Sequence, residues 1–320
     1  MAYNAYVREE PLLQHIYVHA GDPTAAVTIP PGDDMGALRW GDETVLVAVD
    51  QLGDALHVQL ETTPLEKIAR KAMTRNLSDV AAMAARPRGA VVAAALPRDL
   101  GDTRATDLFD ALRHAGEAFG CPLVGGDIAI WKAPLMLSVT VLAEPAGIEP
   151  VLRSNARIGD AIYVTGSLGG SLETVGGYTH HLDFEPRIEL ARLLAENPRT
   201  RPHCMIDLSD GLGRDLARIC RASRVSALVD ARILPISQAA HQAAQRSDQP
   251  PWYHAISDGE DYELLFTAPP EVIPTALAGV HITRIGTIQR PRGEHGYEAR
   301  LRLPDDALVD MGELGWEHHT

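Results

Sequence analysis

Carboxylates recur at turn-like positions along the whole chain. They occur in the strings PGDD (31–34), NLSD (76–79), GGD (125–127), DLSDG (207–211) and DGEDYELLF (258–266). Each sits beside Gly, Ser or Asn and next to an apolar run, the pattern of a strand end or a helix start. A single cluster of this kind is only a turn. Their repetition points to a shared site for a hard cation, because an all-oxygen donor set suits Mg²⁺ bridging carboxylates to substrate phosphates. Mg²⁺-nucleotide chemistry is the first expectation.

Other routes to phosphate binding lack their motifs. There is no GxxxxGK[ST] string, no GxGxxG after a strand and no protein-kinase signature set. A phosphate site must then use metal-bound Asp residues, backbone N–H groups at Gly turns such as 165–170, and arginines such as Arg153. Lysine is scarce, with Lys67, Lys71 and Lys132 the ones present. No Ser-His-Asp or Cys-His constellation is evident, and His318 and His319 read as a solvated tail. DLSDG also admits a purely structural reading, with Ser209 or Asp210 capping the helix that follows.

The elements needed to hold these groups can be placed from periodicity. Helices are expected over 9–20, 64–85, 106–119, 187–194 and 212–222, and strands over 44–49, 90–96, 135–143, 161–164, 227–230 and 263–267. The strand at 44–49 ends at Asp50, and Leu123-Val124 leads into the GGD turn. The polar stretch 241–251 reads as a surface loop. Strands and helices mix in both halves, and the breaker Glu144-Pro145-Ala146-Gly147 suggests domains at 1–147 and 148–320. At 320 residues, two domains are the default.

Composition narrows the partners. A formal net charge of -14 argues against a nucleic-acid backbone or an anionic membrane. No apolar run reaches the roughly 20 residues needed to span a bilayer, and no signal peptide is visible, so a cytoplasmic compartment is expected. Cys121, Cys204 and Cys220 are widely spaced, without a CxxC, and read as reduced core thiols.

Taken together, the motifs resemble the thiamine-monophosphate kinase family, within the superfamily of aminoimidazole ribonucleotide synthetase. The matching strings are PGDD (31–34), DQLGDALH (50–57), KAMTRNLSDVAAM (71–83), LVGGD (123–127), LRS…GDAIYVTGSLG (152–169), MIDLSDGLGRDLARI (205–219) and GEDYELLF (259–266), in the family's order. The resemblance implies a two-domain α+β fold with mixed sheets and helices in each domain, and a homodimer paired through the N-terminal domain. It also implies ATP and Mg²⁺ as cofactors, with transfer of the γ-phosphoryl group to thiamine monophosphate. By position, Asp33, Asp50, Asp79, Asp127, Asp207 and Asp210 match metal ligands. Gly126, Asp127, Arg153 and Ser209 match nucleotide contacts, with Asp210 and Arg153 carrying catalysis. His57, Glu260 and Trp316 match acceptor contacts.

The chain departs from the family's pattern in two places. Ala48-Val49 precede Asp50 where hydroxyl residues are usual, and Ile128-Ala129-Ile130 follow GGD where threonines are usual. If those oxygens served the metals, their loss would weaken metal occupancy near Asp50. Two alternatives stay open: a related kinase or synthetase with another phosphorylated acceptor, and a non-catalytic nucleotide-binding paralogue.

Overall fold

The computed structural model describes residues 9–292 and 296–316, so His318 and His319 lie outside the described residues. In chain order the first half comprises α1 (Glu9–His19), β1 (Val27–Ile29), β2 (Gly36–Trp40) and β3 (Glu43–Gly53). Then follow α2 (Leu65–Ala82), β4 (Arg86–Pro97), α3 (Asp102–Ala118), β5 (Leu123–Trp131) and β6 (Met136–Glu144). The second half begins with β7 (Ala161–Thr165), the small hairpin β8 (Thr174–Val175) and β9 (Tyr178–Thr179), α4 (His180–Asp183) and α5 (Ile188–Glu196). It continues with β10 (Cys204–Asp207), α6 (Leu212–Ser223), β11 (Ser226–Asp230), α7 (Gln238–Ser247) and α8 (Pro251–Ser257). The last strands are β12 (Leu264–Ala268), β13 (Ala276–Leu277), β14 (Val280–Gln289), β15 (Ala299–Arg302) and β16 (Leu308–Asp310).

The first half is a mixed sheet ordered β1-β2-β3-β6-β4-β5, in which only β4 and β5 run parallel. Alternation along β6 buries Leu137, Val139, Val141 and Ala143, which pack with α2 and α3 in one apolar core. The second half is built on a sheet ordered β10-β12-β7-β14-β11-β15-β16, packed against α6 and α8. Each half therefore combines a mixed sheet with helices, an α+β arrangement.

Helix α2 connects the two halves. Good helix formers (Leu, Ala, Lys, Arg, Glu) follow Pro64, whose ring presets the entry, and the helix stops just before the strand that begins at Arg86. Its apolar side chains are buried all round: Ile68, Met73 and Leu77 in the first core, Ala81 and Ala82 in a third cluster shared with α5 and β12. Lys71, Arg75 and Asp79 recur every fourth residue, so they form one polar stripe on this central helix.

Several local expectations need correction. Asp50 lies inside β3, which runs on to Gly53, because residues 50–53 keep pairing with β6. The GGD string is part of β5 rather than a turn: Gly125, Gly126 and Asp127 pair with Val91, Val92 and Ala93 after a register shift. Gly126 is required there by close approach, since a Cβ would sit 2.0 Å from the Val92 carbonyl oxygen. The stretch 241–251 is largely helical; α7 is capped by Ser237, whose hydroxyl accepts from the Ala240 N–H at 2.9 Å. Among the described residues no helix is long and apolar enough to cross a membrane.

Candidate active site

A cavity of about 410 Å³ opens between the halves. The α2 stripe supplies Arg75 and Asp79, β3 and its following turn supply Asp50, Gln51, Leu56 and His57, and the second half supplies Asp207, Ser209, Asp210, Glu260, Tyr262 and Trp316. Asp207 is delivered by the last position of β10, a strand buried along its length. Asp34, Asp79 and Asp207 converge so that one carboxylate oxygen of each lies within 4.8 Å of the others. Burial pushes the Asp79 and Asp207 carboxyls well above the usual range, and mutual repulsion with the neighbouring carboxylates adds to it. An all-carboxylate donor set that repels itself fits a hard divalent cation.

Arg153 completes this corner. Its guanidinium grips Asp34 in a fork, Nε to Oδ2 at 3.1 Å and Nη2 to Oδ1 at 2.7 Å, and its backbone N–H donates to Asp33 Oδ1 at 2.8 Å. Of the PGDD pair, Asp34 therefore faces the carboxylate cluster, while Asp33 is turned onto the Arg153 backbone. Burial beside Asp34 pushes the Asp33 carboxyl up to about 6.

The DLSDG segment is organised differently from either capping expectation. Gly211, with φ 106°, is the N-cap of α6 and carries no side-chain cap. Asp215 reaches back instead, and its Oδ2 accepts from the backbone N–H groups of Asp210 and Gly211, each at 3.1 Å. Arg218 bridges Asp215 and Asp210, which leaves Asp210 at the cavity wall with a cationic partner. Buried as it is, the Asp215 carboxyl is pushed up to about 7 even with Arg218 opposing.

The GEDYELLF segment is locked to that turn. Glu260 and Tyr262 donate their backbone N–H groups to Ser209 O at 2.7 Å and Leu208 O at 2.8 Å. Glu260 and Tyr262 take φ values of 54° and 48°, left-handed geometry that side-chain-bearing residues adopt only where the surroundings hold them. Tyr262 stacks on Phe184 with ring centroids 4.1 Å apart. Trp316 joins the wall by donating its backbone N–H to Asp210 O at 2.9 Å. Burial would raise the Glu260 carboxyl, but the adjoining His181 and the Lys71 ammonium outweigh it and hold it down at about 2.

The glycine-rich turn at 165–170 is not a free phosphate cradle. Gly169 N–H donates to Asp261 Oδ1 at 2.8 Å and Gly170 N–H to Asp258 Oδ2 at 2.9 Å, so these amides are already used. A Ser-His-Asp chain does exist: Ser247 Oγ lies 2.7 Å from His254 Nε2, and His254 Nδ1 lies 2.9 Å from Asp258 Oδ1. It joins α7 to α8 and contributes nothing to the cavity wall.

The comparisons with known proteins agree with this construction. The AIR synthase related protein N-terminal domain matches residues 32–144, and its C-terminal domain matches 157–297. A thiamine-monophosphate kinase of Rhodopirellula baltica is 40% identical over 277 residues, 83% of this chain and 84% of the relative. The chain belongs to the thiamine-monophosphate kinase family. The Haemophilus influenzae member is 34% identical over 75% of this chain and 77% of its own. The structure of AaThiL complexed with AMPPCP and TMP superposes with a TM-score of 0.81 at 25% identity, covering 99% of this chain and 100% of that one.

Within this family member the cavity gathers Asp50, His57, Asp79, Asp207, Ser209, Asp210, Glu260 and Trp316. It does not gather Asp33, Arg153, Gly126 or Asp127. Arg153 stands behind Asp34, and Gly126 and Asp127 lie exposed along β5. Sequence reasoning missed Asp34, Arg75, Tyr262, Asp215 and Lys71. The fourth-residue spacing of Lys71, Arg75 and Asp79 was a usable signal, as charged residues on a helix this apolar must face something polar. The first departure, at Ala48-Val49, also finds its place. Ala48 packs in the apolar core, and Val49 projects from the opposite, exposed face of β3, so neither position faces the cavity.

Proposed function

We propose that this chain transfers the γ-phosphoryl group of ATP to thiamine monophosphate, giving thiamine diphosphate and ADP. The observation that carries the reading is one cavity joining a carboxylate cluster to a wall suited to a cationic heterocycle. Thiamine monophosphate bears a cationic thiazolium and an anionic phosphate. The ionised Glu260 attracts the first, and the rings of Tyr262 and Trp316 offer it π-faces. The carboxylate cluster lies at the phosphate end.

The chemistry asks little of a general base. An oxygen of the acceptor phosphate bonds to the γ-phosphorus as the bond to the bridging β–γ oxygen breaks, and ADP leaves with that oxygen. The acceptor is already an anion, so no hydroxyl proton has to be removed. Asp34, Asp79 and Asp207 would hold Mg²⁺, with Asp50 and Asp210 near enough in the cavity wall to extend the donor set. Bound there, Mg²⁺ supplies the positive charge that lets two phosphate groups approach. Arg153 orients Asp34, and Arg218 orients Asp210. Ser209 stands between Asp207 and Asp210 on the same wall, where it can meet the nucleotide.

The reading includes a homodimer in the cytoplasm. Among the described residues strand β5 ends its sheet with one edge unpaired, and it exposes Val124, Ile128 and Ile130, an apolar surface that a second copy would cover. Gly126 and Asp127 lie on this strand, so their contacts with nucleotide would be made at that interface. The deciding experiment is an assay of ADP release with ATP, Mg²⁺ and thiamine monophosphate. Release that depends on all three supports the reading, and release indifferent to the acceptor refutes it.

A further inference from the structure

Lys71 is wholly buried on the inner side of the cavity wall. Its ammonium has three N–H donors and meets three acceptors: His57 O at 3.0 Å, His181 Nδ1 at 2.6 Å and a Glu260 carboxylate oxygen at 2.8 Å. An ammonium only donates, so His181 Nδ1 accepts from Lys71, and the same nitrogen lies 3.2 Å from the Glu260 carboxylate. The three partners belong to three separate stretches: the turn after β3, helix α4 and the 259–263 loop. His57 and Glu260 both line the cavity. Lys71 itself does not.

We infer that Lys71 is a positioning residue for the acceptor: it clamps the His57 turn, His181 and the Glu260 loop together, and so sets where the Glu260 carboxylate meets the acceptor's cationic heterocycle. The inference rests on the kinase reading above. A buried ion pair adds little to stability compared with well-packed apolar residues, so stability alone does not account for a lysine here. The arrangement is also over-determined in the way a positioning group needs. All three donors are used, the carboxylate is held from the buried side of the wall, and Glu260 itself lines the cavity on a left-handed backbone. Without the ammonium, the carboxylate would either take up a proton or turn toward water in the cavity. Either change weakens capture of a cation without touching the carboxylates at the phosphate end.

The test uses the full chain with Lys71→Met, which keeps the length of the side chain but removes the donors, and with Lys71→Gln should the first variant be insoluble. ATP and thiamine monophosphate are varied separately, and active sites are titrated. The expected result is a KM for thiamine monophosphate raised about tenfold or more, with the KM for ATP within about threefold of wild type. Glu260→Gln should raise the same KM, and combining it with the Lys71 change should cost no more than the worse single change, because the two act through one contact. Wild-type KM values with only fewer active sites would overturn the inference and leave Lys71 a structural residue. A wild-type chain that ignores thiamine monophosphate while hydrolysing ATP would instead overturn the kinase reading, and the clamp's role in acceptor binding with it.

Discussion

Replacing Asp79 with Asn should stabilise the metal-free protein while abolishing turnover. The Asp34, Asp79 and Asp207 oxygens lie within 4.8 Å of one another. Two unit charges at that separation repel by roughly 3.5 kcal/mol at an effective dielectric constant of about 20. Asp79 faces both of the others and Asp50 as well. Proton uptake by the buried carboxyls relieves part of this repulsion, so a net gain of about 1–3 kcal/mol is the reasonable expectation. Arg153 keeps its Asp34 partner in the variant, and no hydrogen bond to the Asp79 carboxylate is lost among the described residues. At about 2–4 °C per kcal/mol for domains of this size, the unfolding midpoint in EDTA should rise by about 2–12 °C. Mg²⁺ should raise the wild-type midpoint and have little effect on the variant.

A pH series adds a second arm to this experiment. A carboxyl whose folded pKa is raised binds its proton more tightly folded than unfolded. Its contribution is full below its ordinary value near 4 and is lost as pH climbs through the folded value. Burial raises Asp79 and Asp207, and it takes Asp33 to about 6 and Asp215 to about 7. The metal-free midpoint should therefore fall between pH 5 and pH 8, less steeply in Asp79→Asn. Thermal unfolding followed by fluorescence in EDTA and in Mg²⁺ reads both arms. A variant less stable than wild type in EDTA, or one with an undiminished Mg²⁺ shift, would refute the idea that these carboxylates are held together for a cation.

Three other outcomes follow from the same geometry. Asp210→Asn keeps the side-chain volume but removes a charge paired with Arg218 at the cavity wall; turnover measured by ADP release should drop at least about a hundredfold, or roughly 2.7 kcal/mol of barrier. Ile128→Lys puts a charge on the exposed edge of β5 and should convert a dimer to monomers by light scattering at micromolar concentration; a wild-type mass already monomeric contradicts the dimer. Ala48→Thr/Val49→Thr should leave the Mg²⁺ dependence of turnover unchanged while destabilising the fold by about 1–3 kcal/mol, because the first hydroxyl enters the apolar core; a sharper Mg²⁺ response in the double variant would show that those positions do serve the metal.

The sequence alone determined the family and most of the long helices and core strands. Apolar periodicity located α2, α3, α6 and the strands β3, β4, β6, β7, β11 and β12, but not β1, β2, β5, β10 or β13 to β16, since burying a face is written every second or every fourth residue only where the run is long enough. DLSDG and GEDYELLF identified the relatives because those strings combine a tight turn with carboxylates. Local pattern also marked the limits of such reading. It made a turn of GGD, which pairs in β5, and a loop of 241–251, which Ser237 caps into a helix.

Only the tertiary structure decided which carboxylates meet. Asp33 and Asp34 are neighbours with the same side chain, and the choice between them is made by Arg153, about 120 residues away, which takes the backbone-facing bond from one and forks onto the other. Asp215 was invisible as the group that closes the DLSDG turn, since its role depends on its side chain reaching back from the first turn of α6 to the loop amides. The glycine amides at 169 and 170 looked available until Asp261 and Asp258 filled them. Lys71 gained its meaning only when α4 and the 259–263 loop closed over α2. Charge pairing and hydrogen bonding act over a few ångströms in space and carry no fixed separation along the chain, so a sequence can name the candidates for a site while folding chooses among them.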